Sequence, residues 1–274
     1  MADFDDTDGP LTDPLPILAE LGRLLDENRI PNVVGWNWNC YLFGAAGASE
    51  SVQFVVPDEH VPGAIAVIAN AGLGLTPCTD GTCFHVQHNS RAPIPEKHFY
   101  DGIEDGVRVS VLRKSATYWA LPDLPTQAPA ADDRNFMLSN DPRIPPGAAR
   151  ATTVSPFKIL TQIALVESLI LLACRDARQM NQHYVYWEAY LLSIHMCDPK
   201  YRWPGPEALE PQFGRCWQIF CNPPKSWPRR AMQQAFVDLR DELRAGPGLP
   251  SPPTINAFGS EEKAEEFLRL NGSF

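Results

Sequence analysis

The sequence predicts an α+β protein: a small mixed sheet with flanking helices, followed by a helical second half. Three observations carry this. The run Val52-Gln53-Phe54-Val55-Val56 is rich in β-branched residues and stops at Pro57, with apolar segments of helical spacing on both sides. Several further short β-prone runs follow in the first half, as in α/β or α+β sheets. Beyond Pro156, apolar positions fall three and four apart over long stretches.

The elements follow in order. Residues 1–12 carry Asp3, Asp5, Asp6 and Asp8 and read as an acidic, disordered tip. An α/β domain is expected over 13–120. It opens with an amphipathic helix from Pro14 to Ile30, with Leu15, Leu18, Leu21, Leu24 and Leu25 on one face, Asp13 as N-cap and Pro14 in the first turn. Pro31 ends it. Val33-Val34 is a brief β-prone run feeding Gly35, and Trp36 to Gly44 reads as a helix, although Trp36-Asn37-Trp38-Asn39 also alternates like a strand. After the Val52–Val56 strand, Asp58 caps a helix to about Ala71 that buries Val61, Ile65, Val67 and Ile68. Leu75–Pro77, Cys83–Gln87 and Val107–Leu112 are further strands, the last entered through the turn pair Asp105-Gly106.

Residues 121–155 are rich in Pro, Ala and Asp and are expected to form a linker or irregular crossing rather than another element. A helical domain over 156–245 is expected to hold helices at Pro156–Arg175, Asn181–Cys197 and Pro228–Arg244, with a proline-rich crossing from Pro199 to Pro211. Residues 246–274 are expected to form a second linker and a short terminal helix at Glu261–Leu270.

With 274 residues, 44% of them hydrophobic, the chain can bury an ordinary core. A net charge of −10 argues against a dominant phosphate-binding surface, so nucleic acid is not the expected partner. The small basic groups Arg108, Arg113, Lys114 and Lys225, Arg229, Arg230 read as solvated surface. The acidic start does not resemble a secretory leader, and the most apolar run, Ile159 to Cys174, is broken by Gln162 and Glu167 and falls short of the roughly twenty residues of a membrane span. A cytoplasmic protein without a membrane segment is the expectation.

Seven cysteines, at 40, 78, 83, 174, 197, 216 and 221, fit reduced thiols rather than a disulfide framework. Cys78, Cys83, His85 and His88 hold enough donor chemistry for zinc. Their spacing is unlike that of structural zinc sites, and a hairpin tip turning at Asp80-Gly81 is the simpler reading. Cys40 would be a nucleophile only with His85, His88 or His98 beside it; a small buried hydrophobe is the alternative. Tyr184, Tyr186, Trp187 and Tyr190, with His183 and His195, read as core packing before a pocket. No nucleophile elbow, P-loop, dinucleotide fingerprint or metalloprotease helix is present.

Several segments, in their order, carry a resemblance over most of residues 14–200: Leu24-Leu25-Asp26-Glu27, Val33-Val34-Gly35-Trp36, Phe54-Val55-Val56-Pro57-Asp58-Glu59 and Pro77-Cys78-Thr79-Asp80-Gly81. Tyr118-Trp119-Ala120-Leu121-Pro122, Ser139-Asn140-Asp141-Pro142-Arg143-Ile144-Pro145-Pro146 and Leu165-Val166-Glu167-Ser168-Leu169 continue it. The chain resembles the nucleotidyltransferase-like proteins of filamentous fungi, a divergent branch of the polymerase-beta-type nucleotidyltransferase superfamily.

The resemblance implies a glycine turn followed by a strand bearing two carboxylates at alternate positions, with a third acid on a neighbouring strand. Residues two apart on a strand share a face, so the acids reach one pair of magnesium ions. Here Gly35 keeps the turn, Trp36 replaces the small residue after it, and Ser51 and Gln53 stand where the paired acids belong. The third position falls on Val107–Val111, whose polar residues are Arg108 and Ser110. The expectation is a scaffold without its acidic triad, a non-catalytic module for an unknown small molecule or protein, with no cofactor. Its cleft would be lined by Gly35, Ser51, Gln53, Arg108 and Ser110, with Trp36 or Trp38 as a stacking wall. One alternative is a metal-independent enzyme of fungal specialised metabolism, performing a transfer or cyclisation in that cleft. Another is a surviving magnesium- and nucleotide-dependent transferase with acids drawn from Glu50, Asp58, Glu104 or Asp105.

Overall fold

The computed structural model describes residues 14–45, 51–78, 93–101, 106–145, 153–177, 182–201, 203–222, 228–244 and 248–251. The chain folds around strands β1 (Val33–Val34), β2 (Ser51–Val56), β3 (Thr76–Pro77), β4 (Lys97–Tyr100) and β5 (Arg108–Arg113). They form one five-stranded mixed sheet in the order β1-β2-β5-β4-β3. Only β2 and β5 pair in parallel; the remaining neighbours are antiparallel. With flanking helices on this sheet and a helical second half, the protein is α+β.

Helix α1 (Leu15–Glu27) buries Leu18, Leu21 and Leu25. Its N-cap position is Pro14; Asp13, the expected cap, lies outside the described residues. Arg29, in the left-handed region at φ 55°, turns the chain out of the helix, and Ile30 N donates back to Leu25 O. Helix α2 (Trp36–Leu42) follows Gly35, which settles the ambiguity of the Trp36–Asn39 stretch in favour of helix.

The β2 run is apolar at nearly every position because both faces are covered. Phe54 looks toward α1, where it lies 4.0 Å from a β-carbon built on Gly22, and helix α3 (Val61–Ala69) packs on α1 and β5. Gln53 therefore belongs to the opposite face. Helix α3 buries Val61, Ala64 and Ile68, whereas Ile65 and Val67 are only half-buried. Asp58 does not cap it: a single 3-10 turn, Asp58–His60, intervenes, and the Asp58 carboxylate is held by Ser115.

The structure adds elements that the sequence reading lacks. Lys97–Tyr100 is a strand. Within the proline-rich 121–155 segment, Phe136–Leu138 forms β6, which pairs antiparallel with β7 (Lys158–Leu160). The expected helix from Pro156 thus begins as a strand, and α5 (Gln162–Asp176) starts only after Thr161, whose Oγ1 accepts from Ala164 N at 3.2 Å. A one-turn helix α4 (Lys114–Thr117) follows β5. Helices α6 (Gln182–Met196) and α8 (Pro228–Arg244) match their expected spans, and α7 (Pro211–Cys221) is a further helix. The terminal helix expected at Glu261–Leu270 and the strand at Cys83–Gln87 lie outside the described residues.

Helix α5 is the central rod of the second half: every residue from Ala164 to Asp176 is buried. One continuous hydrophobic cluster runs from Leu18 through the sheet residues to Leu169, Trp187 and Phe236, joining the two halves. Among the described residues no helix is long and apolar enough to cross a membrane.

Candidate functional site

The positions singled out from the sequence converge on one face of the sheet. Strands β2 and β5 run in register, with Ser51 beside Arg108 and Gln53 beside Ser110. Strand β4 continues both rows, placing Tyr100 beside Arg108 and His98 beside Ser110. Side chains of paired residues share a face, so two polar rows form: Ser51, Arg108, Tyr100 and Gln53, Ser110, His98. The first row carries two hydroxyls and a guanidinium, the second an amide, a hydroxyl and an imidazole, and neither holds a carboxylate.

Gly35 sits at the end of β1, and its N–H donates to Gln53 O at 2.8 Å. This bond seats the glycine directly under the Gln53 side chain: a β-carbon at position 35 would meet Gln53 Oε1 at 2.6 Å and Gln53 Cβ at 2.7 Å. The space beside this glycine is filled by the Gln53 side chain.

Trp36 is fully buried and its ring meets three others edge-on: Trp187 at 4.8 Å between centroids, Tyr186 at 6.0 Å and Tyr118 at 6.4 Å. Its Nε1 donates to the Tyr186 hydroxyl at 3.0 Å, and the Tyr186 and Tyr190 hydroxyls lie 3.4 Å apart. Burial pushes the Tyr186 phenol up, while hydrogen bonds with Tyr190, Trp36 and Gln53 pull the other way. Helix α6 thus closes over Gln53, which is only 5% exposed. The Gln53 Oε1 and Tyr118 hydroxyl find no hydrogen-bond partner among the described residues.

Trp38 is buried as well and packs edge-on against Tyr41 at 5.1 Å. Both tryptophans are therefore engaged by protein rings, where a stacking wall facing a cleft was expected. Ser51, Arg108 and Ser110 are half-buried at the margin of this cover. The aromatic residues of α6 are core, as their spacing suggested: Tyr184 and Trp187 are buried and His195 is exposed.

Cys40 is fully buried and its thiol is pushed far above the ordinary range by desolvation, which ill suits a nucleophile. Of the zinc candidates, Cys78 is half-buried and in no disulfide, and Cys83, His85 and His88 lie outside the described residues. Of the relocated acids, Glu50, Glu104 and Asp105 lie outside them also. Asp58 stands beyond the carboxyl end of β2, accepting from Ser115 N at 3.1 Å and Ser115 Oγ at 2.5 Å. Among the described residues no group of three or more His, Cys, Asp or Glu side chains is placed to hold a metal ion.

A hollow of about 470 Å³ borders the start of α5, lined in part by Asp132, Asp133, Arg134, Arg143 and Gln162. Its guanidinium groups are held within the protein, Arg134 by both oxygens of Glu167 at 2.7 and 2.9 Å and Arg143 by Asp141 at 3.0 Å. Comparisons with protein-family models, with curated proteins and with solved structures returned no match.

Proposed function

We propose that the chain is a nucleotidyltransferase-like scaffold without the catalytic metal chemistry, acting as a non-catalytic module that binds a small molecule or a protein. The order α1, β1, Gly35, α2, β2, with β5 parallel beside β2, supports the scaffold reading. It is the arrangement in which a glycine turn and two neighbouring strands meet on one face.

The observation that carries the loss of chemistry is the pairing of Gln53 with Ser110 beneath Tyr186 and Trp36. Magnesium requires several hard, preferably anionic oxygen ligands in octahedral geometry. Ser51, Gln53, Arg108 and Ser110 supply two hydroxyls, one amide and a repelling cation, a set that does not fit a magnesium pair. Filling of the face by aromatic side chains also removes the room for a triphosphate. What remains for recognition is the half-buried margin formed by Ser51, Arg108 and Ser110.

The test is calorimetric titration of the protein with ATP, with and without magnesium, alongside an assay for pyrophosphate release. Neither heat nor release is expected under either condition. Magnesium-dependent binding of ATP would overturn the reading and point to acids outside the two rows.

A further inference from the structure

A second site lies at the other end of the parallel strand pair and does not depend on the reading of the sheet face. Strand β2 leaves through Pro57 and Asp58 toward α3, on the face covered by α1. Strand β5 leaves through Lys114 toward Tyr118, whose ring meets Trp36 on the opposite face. Neighbouring parallel strands that send the chain to opposite sides open a crevice at their carboxyl ends, the usual place for ligands in open sheets. Here the crevice is a cleft of about 550 Å³ lined by Pro31, Pro57, Asp58, Glu59, Lys114, Ser115, Trp119, Asp123, Leu124 and Thr126. That volume suits a small molecule rather than a peptide segment.

Its chemistry is specific. The lining carries three carboxylates, Asp58, Glu59 and Asp123, against one cation, Lys114, while Arg113 acts on Asp58 from outside the lining. Glu59 and Asp123 are exposed, whereas Asp58 is fastened to Ser115 and braces the mouth of the cleft. Trp119 forms an aromatic wall held by its Nε1–H, which donates to Gly248 O at 3.1 Å. This ring already engages one cation: the buried Arg175 guanidinium lies 5.2 Å from its centroid. A second cation on the cleft side would meet the same negative π-surface. The three carboxylates do not gather into a metal-binding group among the described residues, so they suit positive charge spread along a chain better than a single ion.

We infer that this cleft binds a short linear polyamine, with its ammonium groups on Glu59, Asp123 and Asp58 and its methylene chain along Trp119, Leu124 and Pro57. Glu59 and Asp123 supply the charge, and the tryptophan supplies the discrimination against inorganic cations.

The experiment is calorimetric titration with spermidine of the wild-type chain, the Glu59→Gln/Asp123→Asn variant, the Trp119→Leu variant and a control. The control, Asp238→Asn/Glu242→Gln, removes the same charge from α8. Saturable one-site binding is expected for wild type and control, weakened about tenfold or more in each cleft variant. The native fold of Trp119→Leu is checked by near-ultraviolet circular dichroism, and the carboxylate variant decides alone if that fold is lost. Equal weakening in the control would reduce the effect to net charge and overturn the site. So would unchanged affinity in the carboxylate variant, absence of heat with spermidine, or binding of a lysine-rich peptide in its place.

Discussion

Gly35 and Gln53 are locked together: the Gly35 N–H donates to Gln53 O at 2.8 Å, and a β-carbon on Gly35 would come within 2.7 Å of Gln53 Cβ. The amide tip of Gln53 can swing aside, but its β-carbon is fixed to the strand and cannot. Gly35→Ala is therefore expected to lose about 1–3 kcal/mol of stability by overpacking, measured as a shift of the urea midpoint at constant slope. A change below about 0.5 kcal/mol would mean that β1 and β2 separate more easily than this contact allows.

The buried Gln53 Oε1 has no partner among the described residues, so an apolar side chain of similar length gives up only the hydrogen bond with Tyr186 and should replace it at modest cost. Gln53→Met is expected to change stability by no more than about 1 kcal/mol, whereas Gln53→Ala, which leaves a void under Tyr186, costs about 2–3 kcal/mol. A large loss in the methionine variant would show that the amide is bound on both ends.

Asp176 is fully buried and neutralises the equally buried Arg175 through bonds of 2.9 and 3.1 Å, while Trp187 Nε1 donates to it at 2.8 Å. Removing the carboxylate strands a guanidinium in the interior. Asp176→Ala is expected to cost about 3–5 kcal/mol in equilibrium unfolding, and Arg175→Met in the same background should recover part of it. Additive losses in the double variant would contradict this coupling.

Lys158 is 1% exposed, bonded to Asp26 and to Pro125 O at 2.8 Å. Desolvation holds its pKa below the ordinary 10.5, with Asp26 opposing that shift. In the window between the depressed folded value and 10.5 the unfolded chain binds more protons, so this group makes stability rise with pH there. On the approach to pH 10.5, unfolding midpoints should rise less steeply with pH in Lys158→Met than in wild type. A parallel pH dependence in both proteins would remove Lys158 as the source.

Cys40, Cys174 and Cys216 are buried, and burial raises all three thiols, Cys216 to about 12. Alkylation of the native protein with iodoacetamide near neutral pH, mapped by mass spectrometry, should spare these three and modify the half-buried Cys78, Cys197 and Cys221 first. Early labelling of Cys40 would reopen its candidacy as a nucleophile.

The fold was legible where one residue pattern fixed one element. Leu18, Leu21 and Leu25 mark α1 by spacing, and Val52 to Val56 mark β2 by branching and by Pro57. Lys97–Tyr100 escaped because its polar lysine and histidine hide the alternation, and Phe136–Leu138 because three residues among prolines give no period. The site was legible as positions and not as contacts. Alternation places Ser51 and Gln53 on one face, yet nothing local says that Trp36 will bond Tyr186 across a separation of 150 residues. Long-range packing of this kind depends on how the helical half docks, which periodicity does not encode.

Strand β3, at the outer end of the sheet, consists of Thr76 and Pro77 alone, and proline carries no amide hydrogen. An extended chain approaching this margin finds a ladder of two residues with one donor missing. Such brevity is a common protection against edge-to-edge polymerisation. The described part of this margin is therefore a poor template for a growing fibril, whatever partner the rest of the surface receives.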